Sequence, residues 1–402
     1  MGHPSSAQIA TFPKESADGG RTLRERSVAA LREQEWKVHD ARMPHRRDLV
    51  TRRDLLRGTL GTAAALAGGG LIAACAPPRG PTGVSSPGAS LPPPETTTVR
   101  FVSPAACDPP TALAKEFLLE EGFTDIQYVR VPVTTAEWLT SDKADFHSGY
   151  SNFIVANVDA GLPILALAGI HPGCFELFAT PGISTISDLR GKTVAVNAKN
   201  ASDQFFGFFS ILLAYVGIDP LTEVNFIEIK PDVNALRDAF VDGRSEAFIA
   251  PAASGPALHR NPKNPGTVIL DTTMDKPWSQ YYCCQLVANR EWARRYPIAT
   301  KRVTRAVLRA ADLVAKDRAT AAHEFVARGF FSTTPAATDE AIVTEVIKDL
   351  SYDWRGLDPE ETLRFFALRL ADTKLVRGTP QQILAQGSDF AYMRQLRSEL
   401  KQ

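Results

Sequence analysis

The chain has 402 residues, and 45 Lys and Arg residues balance 45 Asp and Glu residues, so the formal net charge is zero. A chain without excess positive charge has no global field that attracts nucleic acid, and we expect no nucleic-acid partner. Hydrophobic residues at 44% and charged residues at 22% exclude a wholly disordered chain. No run of about 20 apolar residues is present in the sequence, which disfavours a permanent transmembrane helix.

The N-terminal region differs from the rest of the chain. Residues 1–50 show no sustained apolar periodicity, so we predict a disordered extension or a true translation start at Met43. Residues 51–74 follow the order of an export signal, with a basic region containing Arg52 and Arg53, a short Gly- and Ala-rich stretch, and small residues. The paired arginines resemble the twin-arginine signal of proteins that are exported already folded. A buried Ala-rich helix that follows a chance basic cluster is the alternative.

The segment Leu71–Cys75 (LIAAC) resembles the lipobox of bacterial lipoproteins. On this resemblance Cys75 carries the lipid and becomes the first residue of the mature chain, which anchors it to a membrane. Cleavage near Ala74 and release of a free periplasmic protein is the alternative. Residues 75–97 are rich in Pro, Gly and Ser, and proline fixes φ and removes donors, which predicts a semi-extended tether. The expected location is the periplasm or the cell surface.

From residue 98 onward, strand and helix patterns alternate. Strands are predicted at 99–102, 126–131, 163–170, 193–197, 224–229, 246–250 and 267–270, and helices at 111–121, 151–160, 203–216 and 233–241. A strand, helix and strand in close succession imply parallel pairing. From Gln285 the chain is predicted to be predominantly helical, with helices at 299–315, 336–350 and 358–370.

These patterns predict an α/β protein of two lobes, each a mainly parallel sheet flanked by helices. The first lobe comprises residues 98–180 and 282–402, and the second, residues 181–281, is inserted into it. The chain therefore crosses twice between the lobes, as in a clamshell. Open α/β sheets bind ligands beyond the carboxyl ends of their strands, so we expect one cleft between the lobes that closes by a hinge.

Two segments resemble a known family. Residues 186–196 (ISDLRGKTVAV) resemble the "DLkGKkvgv" element of substrate-binding proteins from ABC importers of nitrate, sulfonate, taurine and thiamine precursors. Residues 241–248 (VDGRSEAF) are similar to their "l..G.vDA" element, with Glu246 where Asp is usual.

The resemblance covers about residues 98–402 and implies the type II periplasmic-binding-protein fold. It also implies a receptor that hands a solute to a permease and its ATPase, since this chain contains no P-loop. We expect a monomer that is exported by the twin-arginine machinery, with no cofactor, no metal and no catalytic residues.

Candidate ligand residues lie in loops between strand and helix patterns, where free N–H groups at a helix N-terminus favour an anionic oxygen. They are Ser103, Ala105, Ser148, Tyr150, Ser151 and Asn152 in the first lobe, and Asn200, Ala201 and Ser202 in the second. Ala201-Ser202 replaces the Gly-Ser common in the family, which disfavours a tight phosphate nest. Ser151 and Ser202 are alternatively simple helix N-caps.

Trp278 and Tyr281 lie near the second crossing, and aromatic faces in a cleft stack on planar solutes or wrap alkyl groups. Core packing is the alternative for both residues, and His171 at the first crossing is expected to be structural. The aromatic residues and the scarcity of cationic residues in these loops favour an organic solute over a small inorganic anion. Sulfonates, pyrimidines and aromatic compounds are the expected classes.

Besides Cys75 the chain has Cys107, Cys174, Cys283 and Cys284, and their spacing matches no zinc motif. Ordinary buried thiols and a disulfide involving Cys107 or Cys174 are both left open. A bridge between the adjacent Cys283 and Cys284 would be strained.

Two further functions are weighed against a binding receptor. One is a tethered sensor that passes ligand-induced closure to a membrane signalling partner. The other is an enzyme, since a pyrimidine synthase of thiamine biosynthesis shares the implied fold. Cys283-Cys284 is only a fragment of that enzyme's cysteine-rich motif, so catalysis is not expected.

Overall fold

The computed structural model describes residues 92–131, 138, 142–229, 232–331 and 339–400. The export signal, Cys75 and most of the tether lie outside these residues and stay predictions. Within the described part of the chain, no helix has the length and apolar character needed to cross a membrane.

The first sheet has five strands: β1 (Thr98–Val102), β2 (Asp125–Val129), β3 (Phe146–Tyr150), β4 (Ile164–Pro172) and β10 (Tyr282–Asn289). Their order is β2-β1-β3-β10-β4. β1 pairs in parallel with β2 and β3, whereas β10 runs antiparallel between β3 and β4. β10 is buried along almost its whole length, because it occupies an interior position of the sheet.

The second sheet has the same plan: β5 (Phe175–Ala179), β6 (Thr193–Val196), β7 (Asn225–Glu228), β8 (Ala247–Pro251) and β9 (Thr267–Asp271). Their order is β7-β6-β8-β5-β9, with β5 antiparallel to both of its neighbours. Each sheet therefore contains one antiparallel strand, and each of these strands directly follows a crossing of the chain from the other sheet.

Helices flank both sheets. The first group comprises α1 (Pro109–Leu113), α2 (Lys115–Glu120), α3 (Ser151–Asp159), α4 (Gln204–Tyr215), α5 (Val233–Val241) and α6 (Ser254–His259). After β10 follow α7 (Arg290–Arg295), α8 (Pro297–Lys316), α9 (Arg318–Ala327), α10 (Asp339–Lys348), α11 (Pro359–Asp372), α12 (Pro380–Gly387) and α13 (Ala391–Glu399). The predicted α/β class, with two mixed but mostly parallel sheets, is confirmed.

Three strands were not predicted. Ser148 and Tyr150, assigned to a loop, lie in β3, whose sequence FHSGY has no apolar run. Residues 175–179 pair in the second sheet as β5, although they were assigned to the first lobe. Residues 285–289 were predicted to begin the helical region, but β3 and β4 hold them in β10. Pairing with strands that are distant in sequence determines the conformation of these segments, and the local sequence pattern does not indicate such pairing.

A buried ion pair joins the end of α2 to α8. Glu121 is 4% exposed, and both of its carboxylate oxygens accept hydrogen bonds from Arg305, at 2.6 Å to Nε and 2.6 Å to Nη2. Nη1 of Arg302 donates to the same carboxylate at 3.0 Å. The negative charge of a carboxylate that is removed from water in this way must be compensated by both guanidinium groups.

Gly169 in β4 makes room for a buried tyrosine of β10. A Cβ atom at this position would lie 2.3 Å from the nearest ring carbon of Tyr282. The Tyr282 hydroxyl donates to the carbonyl oxygen of Trp354 at 2.8 Å, which holds the ring in place. The close approach of the two strands therefore requires glycine.

His147 in β3 makes stability dependent on pH. Its Nδ1 atom is buried with no hydrogen-bond partner among the described residues, and burial lowers the pKa of the ring to about 4. The unfolded chain takes up this proton near the ordinary pKa of about 6.5, so stability falls as the pH falls from there toward 4. Between about pH 7.5 and about pH 4.5 we expect the wild type to lose about 2.5 kcal/mol more than His147→Gln. Urea unfolding at both pH values measures this difference, and equal losses in the two proteins would exclude His147 as its source.

Candidate functional site

A cavity lies where the two sheets and the two crossings meet. It contains about 270 Å³ of space not filled by protein atoms, part of it open to solvent. Its walls come from both lobes, from both crossings and from α11. The lining residues are Asn152, Gly173, Phe175, Phe208, Thr272, Trp278, Tyr281, Cys283 and Phe366. Three of the predicted ligand residues, Asn152, Trp278 and Tyr281, are among them.

Trp278 is held in an aromatic cluster. It is 4% exposed, and its ring meets those of Phe208, Tyr215 and Phe365 edge-on at 5.7, 5.4 and 5.8 Å. Tyr281 is half-buried and stacks on Phe365 with ring centroids 4.0 Å apart. The rings of Trp278 and Tyr281 therefore both pack against Phe365 and line the cavity.

The N-termini of α3 and α4 meet across the two lobes. Nδ2 of Asn152 donates to the carbonyl oxygen of Gln204 at 3.0 Å, which joins the lobes directly. Ser151 Oγ donates to the carbonyl oxygen of Tyr282 at 2.7 Å and accepts from Nε2 of Gln285 at 2.9 Å. Ser151 is the first residue of α3, and its preceding residue, Tyr150, provides no side-chain cap, so the N-cap alternative for Ser151 is wrong.

The predicted loop of the second lobe is folded onto itself. Oδ1 of Asn200, which is exposed, accepts hydrogen bonds from the N–H groups of Ser202 and Asp203. Asp203, not Ser202, caps α4 and accepts from Phe206 N at 2.8 Å, so the N-cap alternative for Ser202 is also wrong. The carboxylate of Asp203, one position later in the chain, satisfies the helix terminus. Asn200, Ala201 and Ser202 do not line the cavity.

The remaining predicted residues do not line the cavity. Ser103 N donates to the carbonyl oxygen of Val129 at 2.9 Å, and Ala105 is exposed. Ser148 Oγ is buried with no partner among the described residues. The Tyr150 ring lies 4.8 Å from that of Phe175, and burial raises the pKa of its phenol, which stays neutral.

Sequence reasoning missed the three phenylalanines of the cavity. Phe208 belongs to the phenylalanine-rich segment 205–209 of α4, which has the pattern of a core helix. Phe366 lies on α11, far along the chain from the crossings. Gly207 interrupts the segment 205–209, and this glycine was the available signal that α4 approaches another part of the chain closely. It lies against Asn152 of the other lobe.

Two five-stranded sheets of matching order, two crossings and a cavity between them define the type II periplasmic-binding-protein fold. Residues 111–321 match the family model described as NMT1/THI5 like, and the chain belongs to this family. A search of curated protein sequences finds no match to the chain.

Solved structures share the fold at low sequence identity. The nitrate-binding protein NrtA from Synechocystis PCC 6803 superposes with a TM-score of 0.61 and 14% identity, over 77% of this chain and 90% of NrtA. The alkanesulfonate-binding protein SsuA from Xanthomonas axonopodis pv. citri, bound to MOPS, gives 0.58 and 17%, over 75% and 100%. SsuA from Escherichia coli, an aliphatic sulphonate binding protein, gives 0.55 and 16%, over 72% and 92%.

Proposed function

We propose that this protein is an extracytoplasmic solute-binding lipoprotein that captures a small organic molecule between its lobes and delivers it to an ABC importer. The solute is a sulfonate, a pyrimidine or an aromatic compound, and the protein releases it chemically unchanged. The permease and its ATPase are the partners that move the solute across the membrane.

The observation that carries this proposal is the lining of the cavity. Five of its nine lining residues are aromatic, and none carries a positive charge. Aromatic faces give up water readily and contact planar or aliphatic groups over a large area. A small inorganic anion has no apolar surface to place against these rings, so the lining favours an organic solute.

Two polar side chains of the cavity lining, Thr272 and Asn152, are already hydrogen-bonded inside the protein. Thr272 Oγ1 accepts from Cys174 N at 3.1 Å and donates to the carbonyl oxygen of Phe175 at 3.0 Å. Asn152 Nδ2 is bound to the carbonyl oxygen of Gln204 of the other lobe at 3.0 Å. We infer that the lobes open to admit the solute, which breaks the bond between Asn152 and Gln204, and close again around it.

The similar structures support this class of function, because they are named as nitrate- and sulfonate-binding proteins rather than as enzymes. Export through the twin-arginine machinery at Arg52 and Arg53 and lipid attachment at Cys75 belong to the same proposal. The proline-rich tether would then hold the two lobes away from the membrane.

A thermal-shift screen of the purified full chain tests the proposal. The panel contains sulfonates, pyrimidines, aromatic acids and nitrate. We expect an organic compound to raise Tm in proportion to the logarithm of its concentration once it saturates the site. A shift with nitrate alone would contradict the choice of an organic solute, and chemical conversion of the bound compound would contradict a binding receptor.

Replacing Trp278 with alanine is expected to weaken binding of the compound found in that screen by about 10- to 50-fold, since the indole is one of the aromatic side chains that line the cavity. Isothermal titration calorimetry measures the change. Trp292→Ala is the matched control, because Trp292 packs on Phe146 and Tyr296 away from the cavity. Equal losses of affinity in the two variants would show that Trp278 acts only through the fold.

A further inference from the structure

Cysteines that are far apart in sequence converge beside the cavity. Cys107 follows β1, Cys174 lies between β4 and β5, and Cys284 lies near the start of β10. Their three Sγ atoms all lie within 4.8 Å of one another, and all three residues are buried. A fourth thiol, that of Cys283, lies with its Sγ atom 2.7 Å from that of Cys174. The four cysteines are free thiols in the structure.

The separation of the three sulfur atoms suits a metal ion. Bonds of about 2.3 Å from zinc to sulfur place two ligand sulfurs of a tetrahedral site about 3.8 Å apart. Sulfurs within 4.8 Å of one another therefore need to approach by at most about 1 Å, which small side-chain rotations supply. A disulfide requires about 2.05 Å, so no pair is bonded.

His171 lies beside the Cys107 thiol, although neither of its ring nitrogens is within 4.8 Å of all three sulfur atoms. Its Nδ1 atom lies 3.2 Å from the carbonyl oxygens of both Pro172 and Gly173. A carbonyl oxygen only accepts, so Nδ1 carries the proton and Nε2 keeps a lone pair. The residue is 0% exposed, Nε2 has no hydrogen-bond partner among the described residues, and the ring interacts with the Cys107 thiol.

This arrangement of His171 is that of a metal ligand. Histidines that bind metals donate their other ring N–H to a carbonyl or carboxylate, which fixes the tautomer and the ring orientation. A buried nitrogen without a hydrogen-bond partner otherwise destabilises the folded protein. Nε2 keeps a free lone pair on a ring that interacts with the Cys107 thiol, and a shift of this ring would bring it to a cation held by the three sulfurs.

The backbone around the thiols is held in place. The Tyr352 hydroxyl donates to the carbonyl oxygen of Cys107 at 2.8 Å, and the Thr272 hydroxyl accepts from Cys174 N at 3.1 Å. Cys174 has a φ of 155°, an unfavourable value for a residue other than glycine. Strain of this kind persists only where the surroundings impose it.

We propose that Cys107, Cys174, Cys284 and His171 form a binding site for a thiophilic d¹⁰ cation, Zn²⁺ or Cu⁺. Thiolate and imidazole are the ligands that these cations prefer, and three thiolates with one imidazole form a closed, structural type of site. The cation would replace the thiol protons and tie the loop after β1 to both crossings. The site goes beyond the proposed function, since solute capture does not require it.

Metal binding to the purified, reduced full chain tests the proposal. Co²⁺, which replaces Zn²⁺ in thiolate sites, is titrated while the sulfur-to-cobalt charge-transfer absorption is recorded. Competition with chelators then measures Zn²⁺ and Cu⁺ separately and decides between them. We expect one cation per chain and a charge-transfer band of the intensity given by three thiolates. If neither Zn²⁺ nor Cu⁺ binds, the proposal is overturned.

Variants separate the site from the neighbouring thiol. Cys107→Ser and Cys284→Ser are expected to lower the affinity at least about 100-fold, and His171→Ala about 10- to 100-fold. Cys283→Ser is the matched control and is expected to keep one bound cation. Equal losses in Cys283→Ser and Cys107→Ser would overturn the assignment, as would a Cys174–Cys283 disulfide found by thiol titration of protein purified without reductant. If the serine variants lose the wild-type circular dichroism spectrum, the cobalt band of the wild type decides the question by itself.

Discussion

Replacing Gly169 with alanine is expected to destabilise the protein by about 3–4 kcal/mol, a large fraction of the stability of a typical domain. The added Cβ would lie 2.3 Å from the Tyr282 ring, well inside van der Waals contact. To relieve this contact, β4 and β10 must separate, or the tyrosine must give up its hydrogen bonds to Trp354 and Leu357. A buried hydroxyl without a partner adds to the cost of the clash.

Urea unfolding followed by circular dichroism measures the effect of Gly169→Ala. Gly149→Ala is the matched control, since a Cβ at that position would lie 3.5 Å from side-chain carbons of Ile154 and Val287, which is ordinary contact. We expect the control to change the free energy of unfolding by less than about 1 kcal/mol. Equal effects of the two substitutions would mean that the helix-flanked sheet tolerates separation of β4 and β10.

Replacing Glu121 with alanine is expected to cost about 3–5 kcal/mol, because it leaves two partly buried guanidinium groups without their shared carboxylate. Arg305 binds that carboxylate through two nitrogens and Arg302 through one. The ion pair joins the end of α2 to α8, so its loss weakens the contact between these two helices.

Glu120, the preceding residue in the chain, provides the control for Glu121→Ala. Glu120 also pairs with an arginine of α8, Arg309, at 2.6 Å, but its side chain is 58% exposed. Exposed pairs contribute about 0–1 kcal/mol, so Glu120→Ala is expected to have little effect. Thermal and urea unfolding of both variants measure the difference. If the two substitutions cost the same, burial of the carboxylate is not the source of its contribution.

The sequence predicted the elements whose apolar residues follow a local period. The strand predicted at 193–197 and the helix predicted at 203–216 agree within one residue with β6 and α4. β3, β5 and β10 escaped prediction, because neighbours distant in sequence pair with them. β10 also carries irregular register around Cys284, and no short-range pattern indicates such a bulge.

The sequence predicts those site residues that combine an aromatic side chain with a position beside a crossing between the lobes. Trp278 and Tyr281 stand out because aromatic residues beside a crossing are well placed to line a cleft, and both line the cavity. Phe366 does not stand out, since nothing in its local sequence separates it from a core residue of a helix. The approach of Cys107, Cys174 and Cys284 was not predictable either. Metal-binding motifs are recognised by ligands a few residues apart in sequence, whereas these thiols come together only in the folded chain.

The central position of β10 constrains the order in which the chain can fold during synthesis. β3 and β4 leave the ribosome long before residues 282–289, yet β10 is the strand that pairs with both of them. Until then each of them presents an unpaired edge to solvent, and such edges are prone to aggregation. A nascent or truncated chain that ends before β10 therefore cannot complete its first sheet, and a chaperone that shields β3 and β4 would act on this intermediate.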